Sequence, residues 1–132
     1  MRAWQVPELG EPRDVLTLAE VPDPVPGPGQ VLVRVLGAAA NFPDVLMCRG
    51  GYQVRPPLPF TPGVELCGEV VGTGQRVIGN PALPQGALAE YALTLLVVVA
   101  VFRTRGDNVL LPQPFAQLQL GPPPCAILLL IE

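Results

Sequence analysis

The sequence QVLVRVLGAAA at residues 30–40 runs directly into NFPDVLMCRGGY at residues 41–52, and this junction decides the fold that we predict. Valine recurs at every second position of residues 31–35, the spacing of one face of a β-strand, and β-branched residues favour that conformation. Pro43 suits the first turn of a helix, and the residues after it supply an apolar side. We therefore predict a strand over the first segment and a short helix over residues 41–48.

Short apolar runs separated by prolines and glycines continue on both sides of this junction. Pro and Gly number 18 and 14, which indicates short strands joined by tight turns. Residues 22–29 form a stiff loop, because each proline there removes a backbone donor. The further predicted strands are Ala3–Val6, Val15–Val21, Val64–Val71, Arg76–Gly79 and Gly86–Leu93. Within them Gly68 predicts a bulge or a close backbone approach. About six short strands and one helix predict a mainly β protein, either a small barrel or a sandwich.

Composition excludes several classes of function. The chain has 132 residues, a net charge of -3 and no histidine. The lack of histidine removes every histidine-based general base, nucleophile pair and metal site. No basic run is present, so we expect no nucleic-acid partner. The apolar run from Ala92 to Phe102 is shorter than a membrane span requires, so we expect no span.

The cysteines and the N-terminus bear on the cellular compartment. Cys48, Cys67 and Cys125 are odd in number and show no C-x-x-C spacing, so we expect reduced thiols packed as small apolar groups. The N-terminus begins with a strand-like pattern and shows no signal or presequence pattern. We expect a cytoplasmic protein, and a mitochondrial location stays open.

Polar side chains with binding chemistry collect in residues 41–52. Asn41 offers an amide, Asp44 a carboxylate, Arg49 a cation and Tyr52 a hydroxyl on an aromatic ring. Such groups orient a flat polar ligand and include no nucleophile, so we assign no catalytic residue. The alternative interpretation is that Asn41 and Asp44 cap the following helix and that Tyr52 anchors a loop.

Motifs for nucleotides and metals do not fit the sequence. Gly72-Thr73-Gly74 lacks the third glycine and the helix pattern of a dinucleotide fingerprint, so we predict a turn there. The scattered carboxylates and cysteines do not form a zinc tetrahedron, so we predict no metal site. The apolar run Leu95–Phe102 predicts a buried strand, with a membrane-surface or aggregating segment as the alternative.

Residues 1–92 resemble the N-terminal, GroES-like domain of the medium-chain dehydrogenase/reductase superfamily, in its quinone oxidoreductase (zeta-crystallin-like) branch. Among that branch the quinone-oxidoreductase-like proteins are the most similar. The resemblance implies a GroES-like, partly open β-barrel with one or two short helices. The segments that carry it are VLVRV at 31–35, AANFPD at 39–44, CRGGYQ at 48–53, PLPFTPGVE at 57–65, GEVVG at 68–72 and GALAEYA at 86–92.

The resemblance also implies a chemistry. Zinc alcohol dehydrogenases carry Cys where Asn41 stands and His where Val64 stands, so this chain resembles the zinc-free branch. That branch transfers hydride from NADPH to a quinone or an activated alkene. The resemblance places Asn41 beside the cofactor and Tyr52 in the quinone pocket, with Asp44 as a support residue of that pocket.

The sequence departs from the family after residue 92. Residues 93–132 read as a divergent, irregular tail with no resemblance to a Rossmann domain, which suggests a truncated, alternatively spliced or pseudogene-like product. We therefore expect little or no turnover from the chain alone. The alternatives are a non-enzymatic interaction protein, forming homo- or hetero-oligomers with full-length relatives, and a non-functional product whose apolar runs aggregate.

Overall fold

Eight short β-strands and two short helices lie in the residues that this computed structural model describes, namely residues 1–95 and the backbone of residues 100–101 and 128–130. The elements are β1 (Arg2–Gln5), α1 (Pro12–Val15), β2 (Thr17–Glu20), β3 (Gln30–Ala39), α2 (Phe42–Cys48), β4 (Glu65–Val70), β5 (Arg76–Gly79), β6 (Tyr91–Leu95), β7 (Ala100–Val101) and β8 (Leu128–Leu130). The predicted mainly β fold is confirmed. Neither of the two described helices is long and apolar enough to cross a membrane.

A six-stranded antiparallel sheet forms the body of the fold. Its strands follow the order β6-β3-β4-β5-β7, and β8 also pairs with β3. The ten residues of β3 make it the central strand, because residues 30–34 pair with β6 while residues 33–39 pair with β4. The predicted strand over residues 30–40 is therefore confirmed, and it ends directly before the segment that carries Asn41.

The alternating valines of β3 point into the first of two apolar clusters. Val33 is fully buried and Val35 is 8% exposed, whereas Arg34 between them is exposed. Leu66 of β4 and Val77 of β5 pack against these valines. Burial of an aliphatic side chain of this size contributes about 1.5–3 kcal/mol to stability, so this face fixes the register of the sheet.

Strands β3 and β4 approach each other closely at Gly68, which pairs with Val35. A Cβ atom on Gly68 would overlap the carbonyl oxygen of Arg34 and a methyl group of Val33. The register also shifts between Val35 and Gly37, next to this approach. The predicted close backbone approach at Gly68 is therefore confirmed.

Strands β1 and β2 form a separate ribbon that the backbone joins to the rest of the fold. The Trp4 N–H donates to the Leu88 carbonyl oxygen at 2.9 Å, and the Val6 N–H donates to the Phe60 carbonyl oxygen at 2.8 Å. Val6 and Phe60 are buried beside Met47 of α2 in the second apolar cluster. Val6, directly after β1, therefore packs in the same cluster as α2.

Helix α1 takes the first residue of a predicted strand. The run Val15–Val21 was expected to form one strand, but residues 12–15 are helical and the strand begins at Thr17. Pro12 has the fixed φ that suits a first helical turn, and the Leu16 N–H donates back to its carbonyl oxygen at 2.9 Å. The period-2 pattern of the apolar residues alone did not separate the two elements.

The predicted strand Gly86–Leu93 is shorter than expected. It begins at Tyr91, because the N–H groups of residues 86–88 donate to the carbonyl oxygens of residues 61–63 and not to a neighbouring strand of the sheet. The predictions for Leu95–Phe102 and for the tail fall outside the described residues, apart from Leu95 and the backbone of β7 and β8.

We predict that Gly68→Ala lowers the free energy of unfolding by about 1–3 kcal/mol, the usual cost of overpacking a close-packed site. The reason is that neither the Arg34 backbone nor the paired strand can move aside without breaking β3–β4 hydrogen bonds. Urea unfolding followed by circular dichroism measures the change. Gly51→Ala is the matched control, since its Cβ would meet no atom closer than 3.9 Å. Equal stability of the two variants would contradict the prediction.

Candidate functional site

The carboxylate of Asp44 joins the start of α2 to the loop before β4. Its side chain is 5% exposed. One oxygen, Oδ2, accepts the Asn41 N–H at 2.8 Å, and the other, Oδ1, accepts the Gly63 N–H at 2.8 Å. Two segments that are 19 residues apart in sequence are thus held by one side chain.

Gly63 has the backbone conformation and the space that this contact requires. Its φ is +105°, a positive value that residues other than glycine rarely adopt. A Cβ atom there would lie 2.7 Å from the Leu88 nitrogen and 2.8 Å from the Ala87 nitrogen. The Ala87 N–H also donates to the Gly63 carbonyl oxygen at 2.9 Å. Gly63 is therefore clamped between Asp44 on one side and residues 86–88 on the other.

Asn41 occupies the N-cap position of α2 and is half-buried. Its backbone is extended (φ -118°, ψ 163°), and its carbonyl oxygen accepts the Asp44 N–H at 3.0 Å. The side-chain nitrogen Nδ2 donates to the Ala39 carbonyl oxygen at 3.3 Å. The side chain of Asp44 therefore caps α2, because it accepts the N–H of the N-cap residue Asn41 as in a capping box. Capping leaves a partly exposed amide at the junction of β3 and α2.

Tyr52 lies beyond the opposite end of α2. It is half-buried and packs against the second apolar cluster, which includes Cys48 and Phe60. Asn41 lies directly before α2, and Tyr52 follows α2 after the turn at residues 49–50. The helix and this turn therefore lie between the two residues in sequence.

Arg49 does not join the other three polar residues. Its guanidinium Nη2 contacts the Glu11 carboxylate at 2.8 Å, and both side chains are about half exposed. This hydrogen bond with Glu11 raises the pKa of Arg49 above its ordinary value. The pair links the end of α2 to the start of α1, so the expectation that Arg49 helps to orient a ligand finds no support in its contacts.

Electrostatics at the site centre on the burial of Asp44. Burial raises the pKa of its carboxyl group above the ordinary value, and the nearby Glu65 acts in the same direction. The two backbone N–H groups, from Asn41 and Gly63, oppose that rise because they stabilise the charged form. Both oxygens of Asp44 are engaged with backbone groups, and its role as a support residue of a quinone pocket stays a prediction.

The cysteines near this site have the character of packed apolar groups. Cys48 is 1% exposed, and burial together with the charge of Asp44 raises the pKa of its thiol. Cys48 and Cys67 are both free thiols, which confirms the predicted reduced state for these two, and Cys67 is only partly buried. Cys125 lies outside the described residues. A buried thiol with a raised pKa is a poor nucleophile.

Val64, the residue after Gly63, is held by contacts that the sequence analysis missed. Its carbonyl oxygen accepts the Asn80 Nδ2 hydrogen at 2.7 Å, and the Asn80 carbonyl oxygen accepts the Thr94 hydroxyl at 2.8 Å. Thr94 is fully buried although it lies in an apolar strand. The Asn80-Pro81 dipeptide is a turn signal that marks this position, but nothing in the sequence indicates its distant partner.

Within residues 1–95, no group of three or more Cys, Asp or Glu side chains lies together as a metal site would require.

We predict that Asp44→Asn lowers the free energy of unfolding at neutral pH by about 1–3 kcal/mol, the cost of a buried donor without an acceptor. An amide has a single oxygen, so either the Asn41 N–H or the Gly63 N–H faces an NH₂ group. Asp14→Asn, at an exposed carboxylate in α1, is the matched control. Thermal and urea unfolding of both variants measures the difference.

The same pair of variants tests the pH dependence. A carboxyl group whose pKa is raised in the folded state adds most stability below its ordinary pKa, and that contribution is lost as pH rises through the folded pKa. The stability gap between the wild-type chain and Asp44→Asn should therefore be widest at acidic pH and narrow just above the ordinary pKa of an aspartate. A gap that widens with rising pH would contradict the burial-driven shift.

Known proteins resemble this chain in sequence over a fraction of their own length. The chain is 46% identical over 103 residues to quinone oxidoreductase-like protein 2 of Mus musculus, which is 70% of this chain and 28% of that protein. It is 34% identical over 101 residues to the quinone oxidoreductase of Lama guanicoe, 70% of this chain and 31% of that protein. This chain therefore spans about a third or less of the length of these relatives.

Solved structures and a family model give the same assignment. The quinone oxidoreductase of Thermus thermophilus, a structure described together with its NADPH complex, superimposes with a TM-score of 0.67 at 35% identity, over 83% of this chain and 34% of that one. The alcohol dehydrogenase GroES-like domain model matches residues 27–95. The division at residue 92 stays a prediction. The chain therefore belongs to the alcohol dehydrogenase GroES-like domain family, in the quinone oxidoreductase branch of the medium-chain dehydrogenase/reductase superfamily.

Proposed function

We propose that this domain is the acceptor side of a zinc-independent, NADPH-dependent oxidoreductase site that reduces a quinone or an activated alkene. The observation that carries the proposal is the Asp44 clamp. It holds the backbone of Asn41 and of Gly63, and Val64 follows Gly63 directly. These are the positions at which the resemblance places Cys and His ligands in the zinc branch. Here they offer an amide and an isopropyl group, which orient a ligand by hydrogen bonding and apolar contact and do not bind a metal.

In this proposal, Asn41, Tyr52 and Asp44 have different roles in positioning the ligand. The half-buried Asn41 amide offers both a donor and an acceptor, which suits the carboxamide end of a nicotinamide or the carbonyl oxygen of a quinone. Tyr52, in the loop after α2, supplies a rigid aromatic face with a hydroxyl group. Asp44 acts through the backbone and holds Asn41 in place.

The fit to NADPH is partial. Asn41 would hold the nicotinamide end, and the cofactor, when bound, supplies the hydride. The 132 residues contain no dinucleotide-binding fingerprint that would hold the diphosphate. Gly72-Thr73-Gly74 is followed by Gln75-Arg76-Val77, and Val77 stands where the fingerprint needs a third glycine. Those residues form the turn between β4 and β5 and the start of β5, so a strand and not a helix follows the glycines directly. We therefore propose that this chain alone positions an acceptor and does not grip the cofactor.

Two alternative functions stay predictions. An interaction protein or an aggregating product depends on the apolar runs at Leu95–Phe102 and Ala126–Ile131, most of which lie outside the described residues. Co-purification of the chain with a full-length relative tests the first, and size-exclusion behaviour tests the second.

We predict that the purified chain binds 9,10-phenanthrenequinone and that Asn41→Ala and Tyr52→Ala each weaken binding by about 3- to 10-fold. The expected loss corresponds to one hydrogen bond or one aromatic contact, about 0.5–1.5 kcal/mol each. Isothermal titration measures the affinity. Gln53→Ala is the control, because Gln53 is exposed and adjacent to Tyr52. A wild-type chain that binds no quinone would remove the support for this proposal.

We further predict that NADPH shows no saturable binding to the chain at micromolar concentration and is not consumed in the presence of 9,10-phenanthrenequinone. The physical reason is that the sequence has no glycine-rich loop to bind the diphosphate of NADPH, so this charged part of the cofactor gains no contacts with the chain. Fluorescence titration and the rate of NADPH oxidation are the measurements, with a full-length quinone oxidoreductase as the positive control. Quinone-dependent turnover by the purified chain would show that it grips the cofactor by other means.

A further inference from the structure

Phe42 is an aromatic residue with an unusual location. Its side chain is 69% exposed, whereas Phe60 in the second apolar cluster is 1% exposed. Large aromatic side chains usually bury most of their surface and contribute strongly to binding interfaces. An aromatic ring left in water within one residue of the candidate site therefore calls for a functional explanation.

Phe42 lies at the end of α2 that carries Asn41. Phe42 is the first residue of α2, and Asp44, Met47 and Cys48 form the buried side of that helix. Cα–Cβ bonds in a helix tilt toward its N-terminus, so the side chain of a first residue leans past the end of the helix. In α2 that end is Asn41, whose amide is itself half-exposed.

The ring and the amide together have a specific chemistry. An aromatic face attracts another flat ring through stacking, and a neighbouring amide can donate to a carbonyl oxygen at the edge of that ring. A quinone has both features in one plane. Other exposed apolar side chains, such as Trp4 and Leu18, are cross-strand partners on the β1–β2 ribbon, not sequence neighbours of Asn41.

We propose that Phe42 is a specificity-determining residue that stacks on the ring system of the quinone while Asn41 bonds a quinone oxygen. This inference rests on the proposed function and deepens it, because it selects fused-ring quinones over single-ring quinones. The selection comes from the ring of Phe42, and the short helix α2 contributes no charge to it. A larger ring system covers more of the exposed face of Phe42 and removes more apolar surface from water.

The test compares the affinity of the 132-residue chain for 9,10-phenanthrenequinone, which has three fused rings, with its affinity for the single-ring duroquinone. We expect wild-type chain to prefer the fused-ring quinone. Phe42→Ala should weaken binding of the fused-ring quinone by about 3- to 10-fold and change duroquinone binding less, so that the preference shrinks. Phe42→Tyr keeps the ring and should keep the preference.

Matched variants separate this proposal from the one on which it rests. Leu18→Ala removes a comparably exposed apolar side chain on β2 and should change neither affinity. If Asn41→Ala weakens quinone binding and Phe42→Ala does not, the role of Phe42 is overturned and the proposed function stands. If the wild-type chain binds neither quinone, both fall. A concentration-dependent dimer that Phe42→Ala abolishes would show instead that a second copy of the chain covers the ring.

Discussion

The carboxylate of Asp44 carries a double constraint, because each of its oxygens accepts a backbone N–H from a different segment. Loss of either bond leaves a buried polar group without a partner, at a cost of about 1–3 kcal/mol. The Asn41 N–H fixes the start of α2, and the Gly63 N–H fixes the loop that enters β4. One side chain thus links the backbone at Asn41 to the residue before Val64, and the burial of Asp44 at this position raises the pKa of its carboxyl group.

The two hydrogen bonds of Asp44 require close packing of the surrounding backbone segments. Gly63 admits the Asp44 contact on one side and the nitrogens of residues 87–88 on the other, and no side chain fits between them. Gly68 has the same role further along the chain, where β4 lies against Arg34 of β3. The strand that delivers Asn41 and the strand that follows Val64 are neighbours in the sheet, so the two halves of the site share one rigid support.

Local sequence patterns made β3 and α2 predictable, since each depends on residues within a few positions of one another. The close approach at Gly68 was predictable only from the glycine itself, because its partner Arg34 lies on another strand. The links of Asp44 to Gly63 and of Asn80 to Val64 were not predictable, because they join segments 19 and 16 residues apart and leave no local pattern. The ion pair of Arg49 with Glu11 illustrates the converse error. A charged residue inside a polar stretch looked like a member of the site, but the fold turns it toward α1.

The chemistry of the site follows from what stands at its two anchored positions. A thiolate and an imidazole held at the spacing that Asp44 imposes would polarise a carbonyl group through a metal. An amide and a valine at the same spacing can only orient a ligand and shield it from water. Hydride transfer to a quinone needs no metal, because the acceptor is already electron-poor and its oxygens accept hydrogen bonds directly. In the proposed function, the side chains of Asn41 and Val64 therefore stand in place of two metal ligands.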